Sequence, residues 1–132
     1  MPTLLRKPVA SAGLVHDITP DSAGWSYVGF ALHRLSPGDL VTSTTDDTEV
    51  ILVLVEGHAT VSGAGQQFGI LGDRLDVFER TPPHAVYIPN GSEWSATATT
   101  ACTLAVCSAP GHSGHEAQVI GPAGISLEER GK

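Results

Sequence analysis

VYIPNGSEW, residues 86–94, is the stretch whose reading sets the fold. Val86 to Ile88 combines β-branched and aromatic residues and reads as a short strand. Pro89 ends its ladder, Asn90-Gly91 supplies a turn, and Trp94 sits in the next run. The same grammar extends outward in both directions. HAVYIP (84–89), EWSATAT (93–99) and CTLAVCSA (102–109) follow one another at short intervals, with RLDVFER (74–80) read as a further segment before them. EVILVLVE (49–56) reads as a strand buried on both sides; Gly57 ends it, and HATVSG (58–63) is expected to be its hairpin partner. GAGQQFGILGDR (63–74) carries glycine as a turn-rich connection does. WSYVGFALHRL (25–35) is the first long strand, with Val28, Phe30 and Leu32 on one face. SPGD (36–39) turns the chain, and VTSTTDDT (41–48) is a loop or edge strand. GHSGHEAQ (111–118) is loop-like, and the charged tail ISLEERGK (125–132) reads as the start of a linker. No stretch has helical periodicity and no internal repeat is apparent, so the expectation is an all-β barrel or sandwich.

The composition agrees with one soluble β domain. A chain of 132 residues buries roughly two thirds of its unfolded surface on folding. Its longest apolar run, Val50 to Val55, is far below the roughly 18 residues that span a bilayer, so no membrane partner is expected. Arg6 and Lys7 precede only a weak, proline-interrupted apolar stretch, which argues against a secretory signal. Seven Lys plus Arg stand against fourteen Asp plus Glu, a net charge of −7, and no basic cluster offers a phosphate-tracking surface. Nucleic acid is therefore not an expected partner. Cys102 and Cys107 lie on one predicted strand, where five residues cover roughly 16 Å against the about 7 Å a disulfide tolerates. They have opposite parity, so they point to opposite faces and cannot pair there. Two free thiols fit a reducing cytoplasm.

Two segments are similar to the signature of the cupin barrel, Gly-x5-His-x-His-x3–4-Glu-x6-Gly followed by Gly-x5-Pro-x-Gly-x2-His. Gly38 and Gly57 bracket the first, placing its histidines on Thr44 and Asp46 and its glutamate near Glu49. The second gives Pro89, Gly91 and Trp94. The turn residues are kept; three of the four metal-ligand positions hold Thr, Asp and Trp. Imidazole suits zinc, iron, nickel or copper, whereas an indole offers no lone pair. Asp46 and Glu49 beside a threonine are a thin shell even for calcium. The preferred reading is a polar loop with no metal or cofactor in this chain, and with Trp94 filling the volume a metal and its water would take. Among the remaining polar residues, Arg74, Arg80 and His84 are the candidates for substrate contact. Either arginine suits a sugar carboxylate in bidentate fashion, although a solvated charge balancing Asp73, Asp76 or Glu79 is the preferred reading. His84 opens a strand, where capping or exposure is preferred to lining a pocket. His58 is expected to be solvated, and His112 with His115 to sit in a mobile loop.

LVHDITPDSAGWSYVGFALHRLSPGD (14–39), GDRLDVFERTPPHAVYIPNGSEW (72–94) and LAVCSAP (104–110) closely resemble the N-terminal half of the 5-deoxy-glucuronate isomerases of myo-inositol catabolism. The likeness runs over roughly residues 14 to 131. It implies a single cupin-type, RmlC-like jelly-roll barrel, the N-terminal half of a bicupin. On this reading 1–13 is an N-terminal segment, 14–122 a degenerate barrel and 123–132 the start of an inter-domain linker. The resemblance implies an aldose-ketose isomerase that makes 5-dehydro-2-deoxy-gluconate with a divalent metal, zinc, held in the second cupin. No catalytic or metal-binding residue then falls in this chain, which alone is expected to be inactive. A sugar-acid substrate, a homo-oligomer and a cytoplasmic location go with that reading. The alternative is a free-standing, metal-less cupin that binds a sugar acid or serves in assembly; the uronate isomerases of pectin breakdown are a weaker third option.

Overall fold

Ten strands and no helix make up the computed structural model, which describes residues 12–18, 28–72, 74–76, 78–79, 81–111 and 114–121. They are β1 (Gly13–Ile18), β2 (Gly29–Leu35), β3 (Leu40–Thr44), β4 (Thr48–Glu56), β5 (Ala59–Gly63), β6 (Gln66–Leu71), β7 (Ala85–Ile88), β8 (Glu93–Ala98), β9 (Cys102–Pro110) and β10 (Gln118–Ile120). They form two antiparallel sheets, one in the order β1-β2-β9-β4-β7-β10 and one in the order β3-β8-β5-β6. Of the expected N-terminal segment 1–13 only residues 12–13 are described. The expected linker 123–132, Arg80 and His112 lie outside the described residues.

The core lies between the inner faces of the sheets, and strict alternation selects it. Trp94, Ala96 and Ala98 point inward from β8 and Ala59, Val61 and Gly63 from β5, while the serines and threonines between them face out. From the large sheet Val50, Leu52, Leu54, Val86, Ile88 and Leu104 meet them. Each fully buried aliphatic side chain of this size contributes about 1.5–3 kcal/mol of transfer free energy. Strand β4 is not buried on both sides, contrary to expectation. Val50, Leu52 and Leu54 are inside, but Ile51 on the opposite face is 40% exposed.

Three further readings change. The segment 58–63 is not the hairpin partner of β4, whose neighbours are β9 and β7. Gly57, at φ +86, instead carries the chain across to the other sheet, where a Cβ would run into the Ala101 carbonyl oxygen. β5 pairs with β6 and β8. The glycine-rich stretch after it therefore contains a strand, entered through a two-residue turn in which Ala64 and Gly65 both have positive φ. That geometry matches the twist of a hairpin. Within 74–80, the described residues form bends and a turn, not a strand. β1 and β10 are the two edges of the large sheet.

His33 faces inward on β2, with Leu14 and Leu104 as its cross-strand neighbours. Burial pulls its pKa below the ordinary 6.5, opposed by the nearby Asp17 charge. The unfolded chain therefore binds a proton more readily than the folded one in this window. The contribution to stability is complete above 6.5 and is lost as pH falls from there towards the depressed value. Thermal melts of His33→Gln should accordingly decline less than those of the wild type between neutral and mildly acidic pH. Parallel declines would show that His33 takes no part.

Candidate functional site

The two signature segments meet in space. Thr45 is 2% exposed and joins them: its hydroxyl donates to the Pro89 carbonyl at 2.8 Å and accepts the Ser92 amide at 2.9 Å. Its own amide donates to the Ser92 carbonyl at 2.8 Å, and Gly91 N–H donates to the Asp46 carbonyl at 2.7 Å. A buried hydroxyl without partners would be costly, and here the two turns satisfy each other. Thr45 lies between two candidate positions and was not itself singled out by the motif.

The side chains at the four ligand positions do not converge. Thr44 lies opposite the exposed Glu93 on the outer face of the small sheet. Its hydroxyl donates to the carboxylate of Asp46 at 3.2 Å, in an exposed turn. Glu49 faces out from the large sheet and accepts a hydrogen bond from the Tyr87 hydroxyl at 2.8 Å. Trp94 alone points inward, 5% exposed, in the core cluster. Gly63 leaves room for it: a Cβ there would collide with Ile88 Cδ1 and approach Trp94 Cβ to 3.4 Å. These residues do not fit a cupin metal. Among the described residues no three His, Cys, Asp or Glu side chains are grouped to hold one.

Of the substrate-contact candidates, Arg74 is committed to backbone carbonyls. Arg74 donates from Nε to the Val55 carbonyl at 2.7 Å and from Nη1 to the Thr81 carbonyl at 3.2 Å. It pins the loop after β6 to the end of β4 and is neither a free carboxylate fork nor a solvated charge. Arg80 lies outside the described residues. His84 sits opposite Leu54, whose amide donates to its carbonyl, and its Nδ1 is buried with no hydrogen-bond partner among the described residues. His58 is not solvated as expected, because its Nδ1 lies 2.6 Å from the Gly72 carbonyl oxygen. Cys102 is buried and Cys107 exposed, on opposite faces as their parity predicts. Burial, aided by the Glu56 charge, pushes the Cys102 thiol up to about 11, so it is no nucleophile at neutral pH.

Two of the concave features among the described residues border the candidate ligand positions. A depression of about 440 Å³ opens beside the β5–β6 turn, and its polar lining includes Thr44, Gln67, Glu93 and Ser95. On the large sheet Glu49, Tyr87, His115 and Glu116 border a second one, where the Tyr87 and His115 rings meet edge to face at 6.3 Å. Partial burial and then the Glu49 carboxylate raise the Tyr87 phenol above its ordinary range. Neither feature assembles a base beside an anion-stabilising set of donors.

Comparison with known proteins identifies the family. The KduI/IolB family matches residues 4–132. A relative from Geobacillus thermodenitrificans (strain NG80-2), named 5-deoxy-glucuronate isomerase, is 40% identical over 119 residues, covering 90% of this chain and 43% of the relative. The crystal structure of an IolB-like protein from Salmonella typhimurium LT2 superposes with a TM-score of 0.94 at 41% identity, over 98% of this chain and 49% of that one. A cupin protein from Bacteroides fragilis, 13% identical, superposes with a TM-score of 0.60 over 88% of this chain and 92% of its own. The chain spans about half the length of the curated relatives it matches. With this fold and this match, the chain is a single cupin-type β domain belonging to the KduI/IolB family.

Proposed function

We propose that this chain serves as the N-terminal domain of a 5-deoxy-glucuronate isomerase in inositol catabolism. The observation that carries the reading is its 40% identity to a protein of that name, over 43% of that protein's length. The reaction moves a hydrogen from C2 of an aldose acid to C1, turning the aldehyde into an alcohol and C2 into a ketone. It passes through an enediolate, whose charge needs preorganised donors or a cation. Because Thr44, Asp46, Glu49 and Trp94 diverge, we assign that chemistry and its divalent metal, zinc, to a second cupin barrel. The barrel described here supports the second one by packing. A cytoplasmic location accords with two free cysteines.

The test joins this domain to the remainder of a full-length family member. The resulting protein should convert 5-deoxy-glucuronate to 5-dehydro-2-deoxy-gluconate, followed as ketose formation. A folded full-length protein that turns over a pectin-derived uronate but leaves 5-deoxy-glucuronate unchanged would overturn the substrate assignment.

A further inference from the structure

The sequence holds a single asparagine, Asn90, and a glycine follows it. Asparagine before glycine is the pair most prone to cyclise, because no side chain shields the next backbone nitrogen. Here the pair forms the turn between β7 and β8, and the fold restrains both reacting groups. The Gly91 amide, whose nitrogen is the nucleophile in such a cyclisation, donates to the Asp46 carbonyl at 2.7 Å. A proton engaged in this way passes to solvent only when the contact opens. Asn90 is half-buried, and its Cβ lies against Gly111, where an added Cβ would come within 3.1 Å of it.

Thr45 keeps this turn closed. Its buried hydroxyl bridges the two groups at the turn's ends, the Pro89 carbonyl at 2.8 Å and the Ser92 amide at 2.9 Å. Its own amide donates to the Ser92 carbonyl at 2.8 Å. The clasp is supplied from 44 positions away from Pro89, so the turn that carries Asn90 loosens when the two signature segments part.

We propose that Asn90-Gly91 is a self-modification site of this chain and that the Thr45 clasp sets its rate. In the opened turn the Gly91 nitrogen loses its proton to solvent and attacks Asn90 Cγ. The Cγ–Nδ2 bond breaks, and the amide leaves as ammonia with a proton returned from solvent. Water then opens the five-membered imide at one of its two carbonyls. The product at position 90 is aspartate, or isoaspartate with the main chain rerouted through the side-chain carboxyl and one atom longer. Either adds a carboxylate beside Asp46 and Asp47, whose carbonyls hold the Gly91 and Gly111 amides. The longer backbone also moves Pro89 and Ser92 out of reach of one hydroxyl. The proposal does not depend on the assigned reaction.

Intact mass reads the site directly, because the other side-chain amides are Gln66, Gln67 and Gln118, and glutamine cyclises far more slowly. At mildly alkaline pH the chain in denaturant should convert its asparagine at least about tenfold faster than the folded chain. Thr45→Val keeps the volume but removes both hydroxyl bonds, and should speed conversion in the folded chain by about tenfold. Thr45→Ser keeps the hydroxyl and should convert at the wild-type rate. Hydrogen exchange of the wild type gives a test that does not need the valine variant to fold: protection of the Gly91 amide should match the slowing of conversion. Converted chain should melt at a lower temperature than fresh chain. Equal rates in the folded and denatured chains would overturn the proposal. So would a folded Thr45→Val no faster than the wild type, a Gly91 amide that exchanges freely while Asn90 stays intact, or converted chain as stable as fresh.

Discussion

Trp94→Ala should destabilise the domain by about 3–5 kcal/mol, the usual cost of removing a large buried aromatic side chain. That is a large part of the roughly 5–15 kcal/mol that holds a domain of this size together. The melting temperature should fall by on the order of 10 °C or more. The size of the effect follows from local packing. Trp94 stands opposite Ser43 on β3 and Gly63 on β5, and Gly63 offers no side chain that could swing into the space left behind. Ile88 already fills the room above that glycine. Collapse around the cavity is therefore limited, and a site that cannot collapse keeps the full penalty. Trp94→His is expected to lose stability in the same direction. It should gain no stoichiometric transition metal, because Thr44 and Glu49 remain on the outer faces of two different sheets. Scanning calorimetry and elemental analysis check both statements. An unchanged melting temperature for Trp94→Ala would contradict the core assignment, and about one tightly held zinc per chain in Trp94→His would contradict the divergent geometry.

How much of this could be read in advance depends on whether the signal is local. EWSATAT alternates large or small apolar residues with hydroxyls, and β8 has that period over Glu93–Ala98. Proline and Asn-Gly mark the turn at 89–91, and the opposite parity of Cys102 and Cys107 follows from the pleat alone. β6 was hidden because its residues, QQFGIL, include a positive-φ glycine at a register shift, which weakens the strand pattern. The partners of β4 were hidden for a different reason. Hydrophobicity says that a strand is buried, but not which strands flank it; the contacts with β9 join residues some 50 to 60 positions apart. A hairpin was the cheapest local guess, and the steric demand of the Ala101 carbonyl at Gly57 overrides it.

The site was legible by subtraction more than by recognition. An indole where an imidazole is needed removes a ligand whatever the fold does. That the other positions face different ways follows only from register, which sets Thr44 against Glu93 and Glu49 against Ala109. Thr45 had no signal of its own, since its partners Pro89 and Ser92 lie more than forty residues along the chain. Arg74 was equally opaque. A guanidinium bound to two backbone carbonyls and one waiting for a carboxylate look alike in sequence, and the difference lies in the loop that folds back over the end of β4.

The 132-residue chain by itself should leave 5-deoxy-glucuronate unconverted, whereas the polypeptide extended through a second barrel should convert it and lose that activity on chelation. Transferring a proton between neighbouring carbons passes through an anion, and an acceleration requires groups that hold this anion more tightly than they hold the substrate. In this chain the candidate polar groups are engaged elsewhere: Thr45 with the Pro89 turn, Arg74 with Val55 and Thr81, Glu49 with Tyr87. The depression beside Glu93 offers hydroxyls, amides and a carboxylate. A set of that kind can bind a sugar but adds negative charge where the enediolate would form. At matched concentrations, ketose formation by the short chain should therefore be indistinguishable from the uncatalysed background. Adding a chelator should abolish turnover by the extended protein, and restoring a divalent metal should recover it. Turnover by the short chain after removal of any full-length contaminant, or an extended protein indifferent to chelation, would move the chemistry into this barrel or away from a metal.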